Sequence, residues 1–283
     1  MVCLNNEILS VKVDELGAEL KSIYCSDIEY IWEGKPEIWS GTAPIMFPIC
    51  SGVKEDRYIF EGKEYHLTKH GYAKNTLFDV EYADDTRAVF LHKSNEETKK
   101  VYPFEYELRI IFELNGKSLK TVYEVKNKGQ ATMYFNVGAH EAYATPEGIE
   151  DYDVIFDQEE TLENYLLYGN EISDRKKIPM LKESRVLPLY DKYFVVDALV
   201  FKDVKSKGAV LRNRKTGRAV RVDFPNAPYF LLWHKHGAPY ICLEPWNGIC
   251  DIMGSSYDIT EKEGITALPA GETFSFSHTI TIL

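Results

Sequence analysis

Three residues whose side chains can transfer protons near neutral pH stand at the borders of β-prone runs. They are His70 in the segment KHGY, His140 in NVGAH and Glu244 in LEPW. Two histidines and one carboxylate suit general acid–base chemistry, because each can bind or release a proton when its surroundings tune it. Taken singly, a histidine after a β-run is more often a hydrogen-bonded structural residue. Strand ends of a β-sandwich can converge on one rim, so a shared pocket is the hypothesis that a structure tests.

Glu244 is the carboxylate in the otherwise apolar, β-prone stretch YICLEPW at residues 240–246. The residues before it read as a short strand, and Pro245 with the residues after it predict a turn, which places Glu244 at a strand end. A carboxylate that leaves a buried strand beside Trp246 is partly desolvated, which tends to raise its pKa. The alternative is that Glu244 is the partner in a structural ion pair.

The elements that must position these residues are predicted to be strands. Residues 106–114 alternate apolar and polar side chains, Asn115-Gly116 predicts a hairpin, and residues 274–282 predict a closing strand with the same alternation. No apolar stripe of helical spacing reaches the length of a helix. The N-terminal residues 8–32 predict a three-stranded meander, whereas residues 145–194 are expected to be largely irregular. The predicted fold class is all-β, a single antiparallel two-layer sandwich domain over residues 1–283.

The segment APIMFPIC at residues 43–50 is apolar but contains Pro44 and Pro48. Because a proline cannot donate to a sheet ladder, this segment is predicted to form an edge or to line a pocket.

The composition limits the classes of partner. The chain has 33 Lys and Arg against 44 Asp and Glu, a net charge of −11, which disfavours nucleic acid and anionic membranes as partners. Five cysteines, spread out and without a C-x-x-C pair, favour reduced thiols over a disulfide framework. No apolar run approaches the ~18 residues of a membrane span, and the N-terminus lacks the pattern of a secretory signal. A cytoplasmic protein is expected.

Four segments in a fixed order resemble motifs of one enzyme family. KHGYAKN at residues 69–75 is similar to H-G-[FY]-A-[RK], VYPFEYEL at 101–108 to Y-P-F-x-[FY]-x-L, and NVGAH at 136–140 to N-x-G-x-H. APYICLEPWNG at 238–248 is similar to A-P-[FY]-x-C-[IL]-E-P-W-x-G. These are motifs of the aldose 1-epimerases, the galactose mutarotase-like family, and most closely of its LacX-like branch. The similarity runs over nearly the whole chain.

The resemblance implies an antiparallel β-supersandwich and the interconversion of the α and β anomers of a free sugar, without a cofactor. It implies His140 as the general acid on the ring oxygen, Glu244 as the general base on the anomeric hydroxyl, and His70 as a residue that orients the sugar. With ordinary pKa values of about 4.3 for Glu and 6.5 for His, Glu244 is the natural proton acceptor, and His140 donates only if its pKa is raised. Asp197 resembles a substrate-binding aspartate of the family.

Aromatic side chains near the motifs are candidates for stacking on the sugar ring, and we single out Trp246 and Tyr143. Two departures from the family pattern stand out. Gly52 occupies the place of an arginine in the motif G-R-[LV]-K. Either Lys54 or Arg57 substitutes for it, or the sugar specificity differs, and both alternatives leave the acid–base pair intact. Glu141 replaces a proline after His140, where it either raises the pKa of His140 or points to solvent.

Alternative hypotheses remain open. The first is a non-catalytic carbohydrate-binding protein that uses the same pocket, and the second is a hexose-phosphate 1-epimerase, which the acidic net charge mildly disfavours. A third is a metal site of His70, His140 and Glu244, for which close ligand spacing in the sequence is lacking. The expected partner is a small aldose, and the expected assembly is a monomer or homodimer.

Overall fold

The computed structural model describes residues 1–283, which form strands almost throughout. The strands in chain order are β1 (Val2–Asn5), β2 (Leu9–Asp14), β3 (Glu19–Cys25), β4 (Ile28–Glu29), β5 (Arg57–Phe60), β6 (Lys63–His66), β7 (Asp79–Ala83), β8 (Arg87–Lys93), β9 (Tyr106–Asn115), β10 (Ser118–Asn127), β11 (Met133–Phe135), β12 (Glu141–Ala144), β13 (Tyr152–Tyr168), β14 (Glu171–Pro188), β15 (Leu199–Lys202), β16 (Gly208–Asn213), β17 (Ala219–Asp223), β18 (Tyr229–Trp233), β19 (Tyr240–Trp246), β20 (Asp251–Ile252), β21 (Thr266–Leu268) and β22 (Thr273–Ile282).

Helical structure is confined to short segments. The α-helix α1 (Glu96–Val101) begins with a capping box in which Asn95 accepts from the backbone N–H of Thr98, and the side chain of Thr98 accepts from that of Asn95. The short 3₁₀ helices are Lys54–Asp56, Ala73–Asn75, Ile149–Asp151, Asp191–Phe194 and Ile259–Glu261. No helix of the structure has both the length and the apolar character that crossing a membrane requires.

The larger layer is a sheet of ten strands in the order β20-β14-β13-β16-β17-β22-β10-β9-β8-β7. Its pairs are antiparallel except for β14 with β20. The alternation predicted for residues 106–114 is confirmed, since Tyr106, Leu108, Ile110 and Phe112 are buried while the residues between them are not. The hairpin at Asn115-Gly116, the closing strand and the N-terminal meander are confirmed as well.

A sheet of four strands, in the order β12-β19-β18-β15, lies against the interior face of the larger sheet. Both sheets contribute to one hydrophobic cluster of 58 buried residues, in which Ile241 and Leu243 of β19 lie together with Tyr123 and Phe276 of the larger sheet. Because successive side chains of a strand point to opposite faces, Cys242, Glu244 and Trp246 lie on the other face of the small sheet. This second face forms the floor of the candidate site. The two-layer antiparallel sandwich predicted from the sequence is therefore confirmed.

The expectation of irregular structure in residues 145–194 was wrong, because β13 and β14 are the longest strands of the protein. Polar side chains occupy buried positions of β13 and mask its alternation. Glu160 accepts a hydrogen bond from the backbone N–H of Ser206 (2.7 Å), and Asn164 accepts one from that of Val200 (2.8 Å). Such bonds satisfy buried polar groups, and they are formed by residues distant in sequence.

The predicted strand end at Glu244 was also wrong, since β19 continues through Pro245 and Trp246, which pair with Phe230 and Tyr229 of β18. A proline lacks only its N–H, and the carbonyl of Pro245 still accepts a hydrogen bond from the N–H of Ala139 (3.2 Å). The pairing with β12 ends at Leu243. Glu244 therefore lies inside a strand, and its backbone is held by sheet neighbours.

We expect Leu232→Ala, which removes a fully buried side chain of β18, to lower the free energy of unfolding by about 2–5 kcal/mol. The matched control is Leu77→Ala, at a side chain that is 70% exposed, which should change the stability by no more than about 0.5 kcal/mol. Urea denaturation followed by circular dichroism measures both. Equal losses for the two variants would contradict the placement of Leu232 in the core.

Candidate active site

The structure brings His70, His140 and Glu244 together at the floor of one cleft of about 670 Å³. The Nε2 atom of His140 lies 3.6 Å from Oε1 of Glu244. The imidazole rings of His70 and His140 meet edge to face, with centroids 5.3 Å apart. This proximity joins residues that are distant in sequence, and it supports the hypothesis of a shared pocket.

Glu244 is held on the cleft face of the small sheet by β18 and β12, which flank β19. Glu244 is almost fully buried, with 1% of the residue exposed. Trp246 lies two residues further along the same face, and its indole N–H donates to the carbonyl of Ala139 (3.0 Å). That bond fixes the residue immediately before His140 to the strand that carries Glu244.

His140 directly precedes β12 and is enclosed by indole rings. Its ring centroid lies 5.4 Å from that of Trp39 and 5.7 Å from that of Trp233. The approach of the chain depends on Gly138, because a Cβ there would lie 2.8 Å from the Trp246 ring and 2.9 Å from the sulfur of Cys50. Only a residue without a side chain allows this close crossing of Trp246.

His70 lies in a turn with left-handed backbone geometry, at a φ of 68°. The backbone N–H of Ser51 donates to Nδ1 of His70 (3.2 Å), while the N–H of His70 donates to the carbonyl of Ser51. Because Nδ1 accepts a hydrogen bond, the neutral ring carries its proton on Nε2. Burial, followed by the charge of His140, holds the pKa of His70 well below its ordinary value. His70 is therefore a neutral donor.

Burial acts on the central pair in opposite directions. It raises the pKa of the Glu244 carboxyl well above its ordinary value, although the nearby charge of Lys69 opposes this shift. Burial lowers the pKa of His140 to about 3. The sequence-based expectation that a carboxylate raises the pKa of His140 was therefore wrong in direction, because burial dominates and the charges of Lys69 and Lys74 lower the pKa further. Both shifts favour a protonated carboxyl beside a neutral imidazole.

The cleft wall contains two further residues of the sequence-based prediction, Asp197 and Trp246. The Nζ atom of Lys69 lies 3.7 Å from Oδ2 of Asp197, whose Oδ1 accepts from the backbone N–H of Ala198 (2.7 Å). Lys69 and Asp197 are thus fixed hydrogen-bonding groups in the wall of the cleft that contains His140 and Glu244.

The structure does not place Tyr143 or Lys54 in the cleft. Tyr143 is buried on the interior face of β12 and belongs to the sandwich core. The ammonium group of Lys54 lies over the ring of Tyr257 at 4.8 Å, and Arg57 stacks on the same ring. Neither cation therefore substitutes at the cleft for the arginine that Gly52 replaces.

A side chain at position 52 would collide with Asn170. The amide of Asn170 donates to the carbonyl of Val53 (3.1 Å) and to Oδ1 of Asp56 (2.7 Å), so it cannot move away without losing both bonds. A side chain at position 52 would therefore displace Asn170 and break its bonds to Val53 and Asp56.

Among the cleft residues that sequence reasoning did not single out are Lys69, Trp39 and Trp233. Lys69 directly precedes His70 within a quoted motif, and Trp233 ends a β-prone run. The place of each residue in the sequence could therefore have indicated it as a cleft residue. Trp39 lies outside the strands and carried none.

The one cluster whose spacing could suit a metal ion differs from the set that the sequence suggested. It consists of His140, Cys242 and Glu244, whose candidate ligand atoms lie within 4.8 Å of one another. Metal ligands must be deprotonated, whereas burial raises the pKa values of both the Cys242 thiol and the Glu244 carboxyl. We therefore assign no metal site.

Comparisons with known proteins agree with this geometry. The sequence profile of the family described as Aldose 1-epimerase matches residues 1–281. The plasmid and chromosomal LacX proteins of Lactococcus lactis subsp. lactis are each 34% identical to this chain over 299 residues, covering 99% of it and 98% of the relative.

Solved structures show the same fold over the full length. A galactose mutarotase related enzyme from Lactobacillus acidophilus superposes with a TM-score of 0.94 at 32% identity, covering 99% of this chain and 96% of its own. A galactose mutarotase-like protein from Lactobacillus casei gives a TM-score of 0.92 at 28% identity over the whole of both chains. The match of the family profile and the identity to the LacX proteins show that this chain belongs to the aldose 1-epimerase family of carbohydrate isomerases.

Proposed function

We propose that the protein interconverts the α and β anomers of a free aldose by acid–base opening of the sugar ring. The observation that carries this proposal is the contact between His140 and Glu244, 3.6 Å apart at the floor of the cleft. The cleft volume of about 670 Å³ suits a small molecule. The three tryptophans of the cleft offer flat apolar surfaces for the faces of a sugar ring.

Ring opening requires one proton to leave the anomeric hydroxyl while another reaches the ring oxygen. In the proposed reaction the single proton of the pair first passes from Glu244 to His140 when the sugar binds. His140 then gives it to the ring oxygen, and Glu244 takes the proton of the hydroxyl. The carbonyl at C1 forms as the bond between C1 and the ring oxygen breaks. Rotation about the bond from C1 to C2 lets the ring close on the other face, with both proton transfers reversed.

This order of proton transfers links the burial of His140 and Glu244 to the reaction. When the ring is open, His140 has lost its proton and Glu244 has gained one, so both side chains are neutral. Burial favours this neutral form, as the opposite pKa shifts of the two groups indicate. The cleft therefore stabilises the protonation state that accompanies the open-chain sugar, which offsets part of the free energy of ring opening.

Three lysines, Lys21, Lys69 and Lys74, line the cleft and raise the alternative of a sugar phosphate. Each already has a partner. Lys21 pairs with Glu19 (3.1 Å), Lys69 with Asp197 (3.7 Å), and Lys74 donates to the carbonyl of Lys69 (2.9 Å). With these cations occupied, the cleft favours an uncharged sugar.

We expect Glu244→Gln to slow mutarotation by about 10²–10⁴-fold, because the amide cannot accept the proton of the anomeric hydroxyl. The matched control is Glu113→Gln, the same change at a partly exposed carboxylate of β9, which should leave the rate unchanged. Polarimetry of freshly dissolved α-D-glucose and α-D-galactose measures the rates. Equal rates for the wild type and Glu244→Gln on every aldose tried would refute the proposal. Thermal stabilisation by a sugar without mutarotation would instead indicate a carbohydrate-binding protein.

The pH profile of kcat/KM provides a second test. The pair of His140 and Glu244 shares one proton. It gains a second proton only as the pH falls toward the lowered pKa of His140, about 3. It loses the shared proton only as the pH rises through the raised pKa of Glu244. Activity should therefore stay level as the pH falls through about 6.5, where an ordinary histidine would titrate. The rates are corrected for spontaneous mutarotation at each pH. A loss of half the activity near pH 6.5 would contradict this protonation scheme.

The class of sugar is tested by comparing α-D-glucose with α-D-glucose 6-phosphate at equal concentration. We expect a higher kcat/KM for the uncharged sugar, since the cleft lysines are paired with carboxylates or with a backbone carbonyl. A preference for the phosphate that is lost on raising the salt concentration would show that these lysines bind an anion.

A further inference from the structure

A buried carboxyl and a buried imidazole, those of Glu141 and His278, lie close together behind the proposed catalytic pair, inside the sandwich. Oε1 of Glu141 is 3.0 Å from Nε2 of His278, and the two residues are 2% and 0% exposed. Glu141 directly follows His140, so its side chain points to the opposite face of the sheet. It connects β12 of the small sheet to β22 of the larger one.

Polar atoms surround this pair in a core that is otherwise apolar. The hydroxyls of Thr121, Tyr123 and Tyr143 are buried without a hydrogen-bond partner, as are Oε2 of Glu141 and both ring nitrogens of His278, so Glu141 and His278 meet as an ion-pair contact rather than through a hydrogen bond. Burying an ion pair in such surroundings gains little stability, and a well-packed apolar pair of similar volume often stabilises a fold as well. Stability therefore does not account for Glu141, and its place beside the site points to another role.

The register of the small sheet brings Glu141 close to Glu244. Glu141 lies opposite Leu243 in the antiparallel pair of β12 and β19, and Glu244 is the next residue of β19. Neighbouring strands are about 4.8 Å apart, so the two carboxyls are separated by roughly one strand spacing and the thickness of the sheet. Both are buried, so water does not screen the interaction between them.

Several charged or titratable groups act on Glu244 from the cleft side, namely His70, His140, Lys69, Asp197 and Cys242. After burial, the charge of Lys69 lowers the pKa of Glu244, and those of Glu141 and Asp197 raise it. From inside the sandwich, Glu141 itself faces His278 and the phenols of Tyr123 and Tyr143.

We propose that Glu141 and His278 are positioning residues of the mutarotation site, which fix β12 from inside and hold the proton on the Glu244 carboxyl while the sugar ring is open. This inference rests on the proposed function. It also explains the departure from the family motif, because a proline after His140 would supply neither the charge nor the link to β22. Glu141 touches no sugar, and it acts through Glu244 and the backbone of His140.

The test compares the alkaline limb of the pH profile of kcat in the wild type and in E141Q, which removes the charge but keeps the shape. We expect the limb to move down by on the order of one pH unit, the size expected for a unit charge about 10 Å away at an effective dielectric constant near 20. E141D, which keeps the charge, should retain the wild-type limb. The control Y123F removes an uncharged hydroxyl of the same cluster and should not move it.

An E141Q protein with the wild-type alkaline limb would overturn the inference, as would one that loses kcat equally at every pH. If E141Q does not fold, the double variant E141Q/H278Q replaces the pair by two amides and avoids an unpaired buried charge. It should show the same downward shift.

A measurement that is independent of turnover separates this inference from the proposed function. The infrared carbonyl band of a protonated carboxyl that is absent in E244Q reports the proton on Glu244 directly. We expect this band to disappear at lower pH in E141Q than in the wild type, and an equal midpoint would refute the inference even if the protein shows no mutarotation. Absence of mutarotation in the wild type refutes only the proposed function.

Discussion

Strand β19 is buried on both faces, and the arrangement of the protein around it follows from that constraint. Every residue from Tyr240 to Trp246 is buried. One face of the strand completes the apolar interior between the two sheets, while the other is covered by the tryptophans of the cleft. A carboxyl on the second face must lose most of its water. The raised pKa of Glu244 is therefore first of all a consequence of where the sheet lies, and the charges of Glu141 and Asp197 add to it.

The tryptophans that cover this face of the sheet also determine the protonation state of His140. Trp39 and Trp233 enclose its ring and exclude water, so the imidazole is held neutral although a carboxyl lies beside it. Two groups that would form an ion pair in water thus share one proton in the cleft. A pair of this kind is suited to a reaction in which a proton enters on one side of a bond and another leaves on the other. The charge of Lys69 limits how far the pKa of Glu244 is raised.

The sequence allowed prediction of those parts of the fold in which local pattern and tertiary environment agree. The alternation of β9 and β22 was visible because their buried residues are apolar, except for His278 of β22. In β13 the buried positions include Glu160 and Asn164, whose hydrogen bonds with distant backbone groups cannot be inferred from neighbouring residues. The same limit applied at β19, where the prediction ended the strand at a proline that the sheet accommodates.

For the site, motif order identified the residues that now lie together, but it did not show which face each side chain occupies. Tyr143 is two residues after Glu141 on the interior face of β12, so it could not reach a sugar on the cleft face. Tyr143 was singled out because it lies close to the His140 motif in sequence, and closeness in sequence does not determine the face on which a side chain lies. Trp39 shows the converse, since it packs on His140 from a segment without regular structure, and no periodicity marks it.

The arrangement at Gly52 bears on how a sugar would be oriented. Asn170, held by Val53 and Asp56, fills the space that a side chain at position 52 would need. The cations nearest to that loop, Lys54 and Arg57, are drawn away to Tyr257. The charge that remains beside Glu244 comes from Lys69, which is fixed by Asp197 and belongs to the turn that carries His70. The cation that acts on Glu244 therefore belongs to the same turn as the orienting histidine. A displacement of that turn would change the position of the sugar and the balance of charge at Glu244 together.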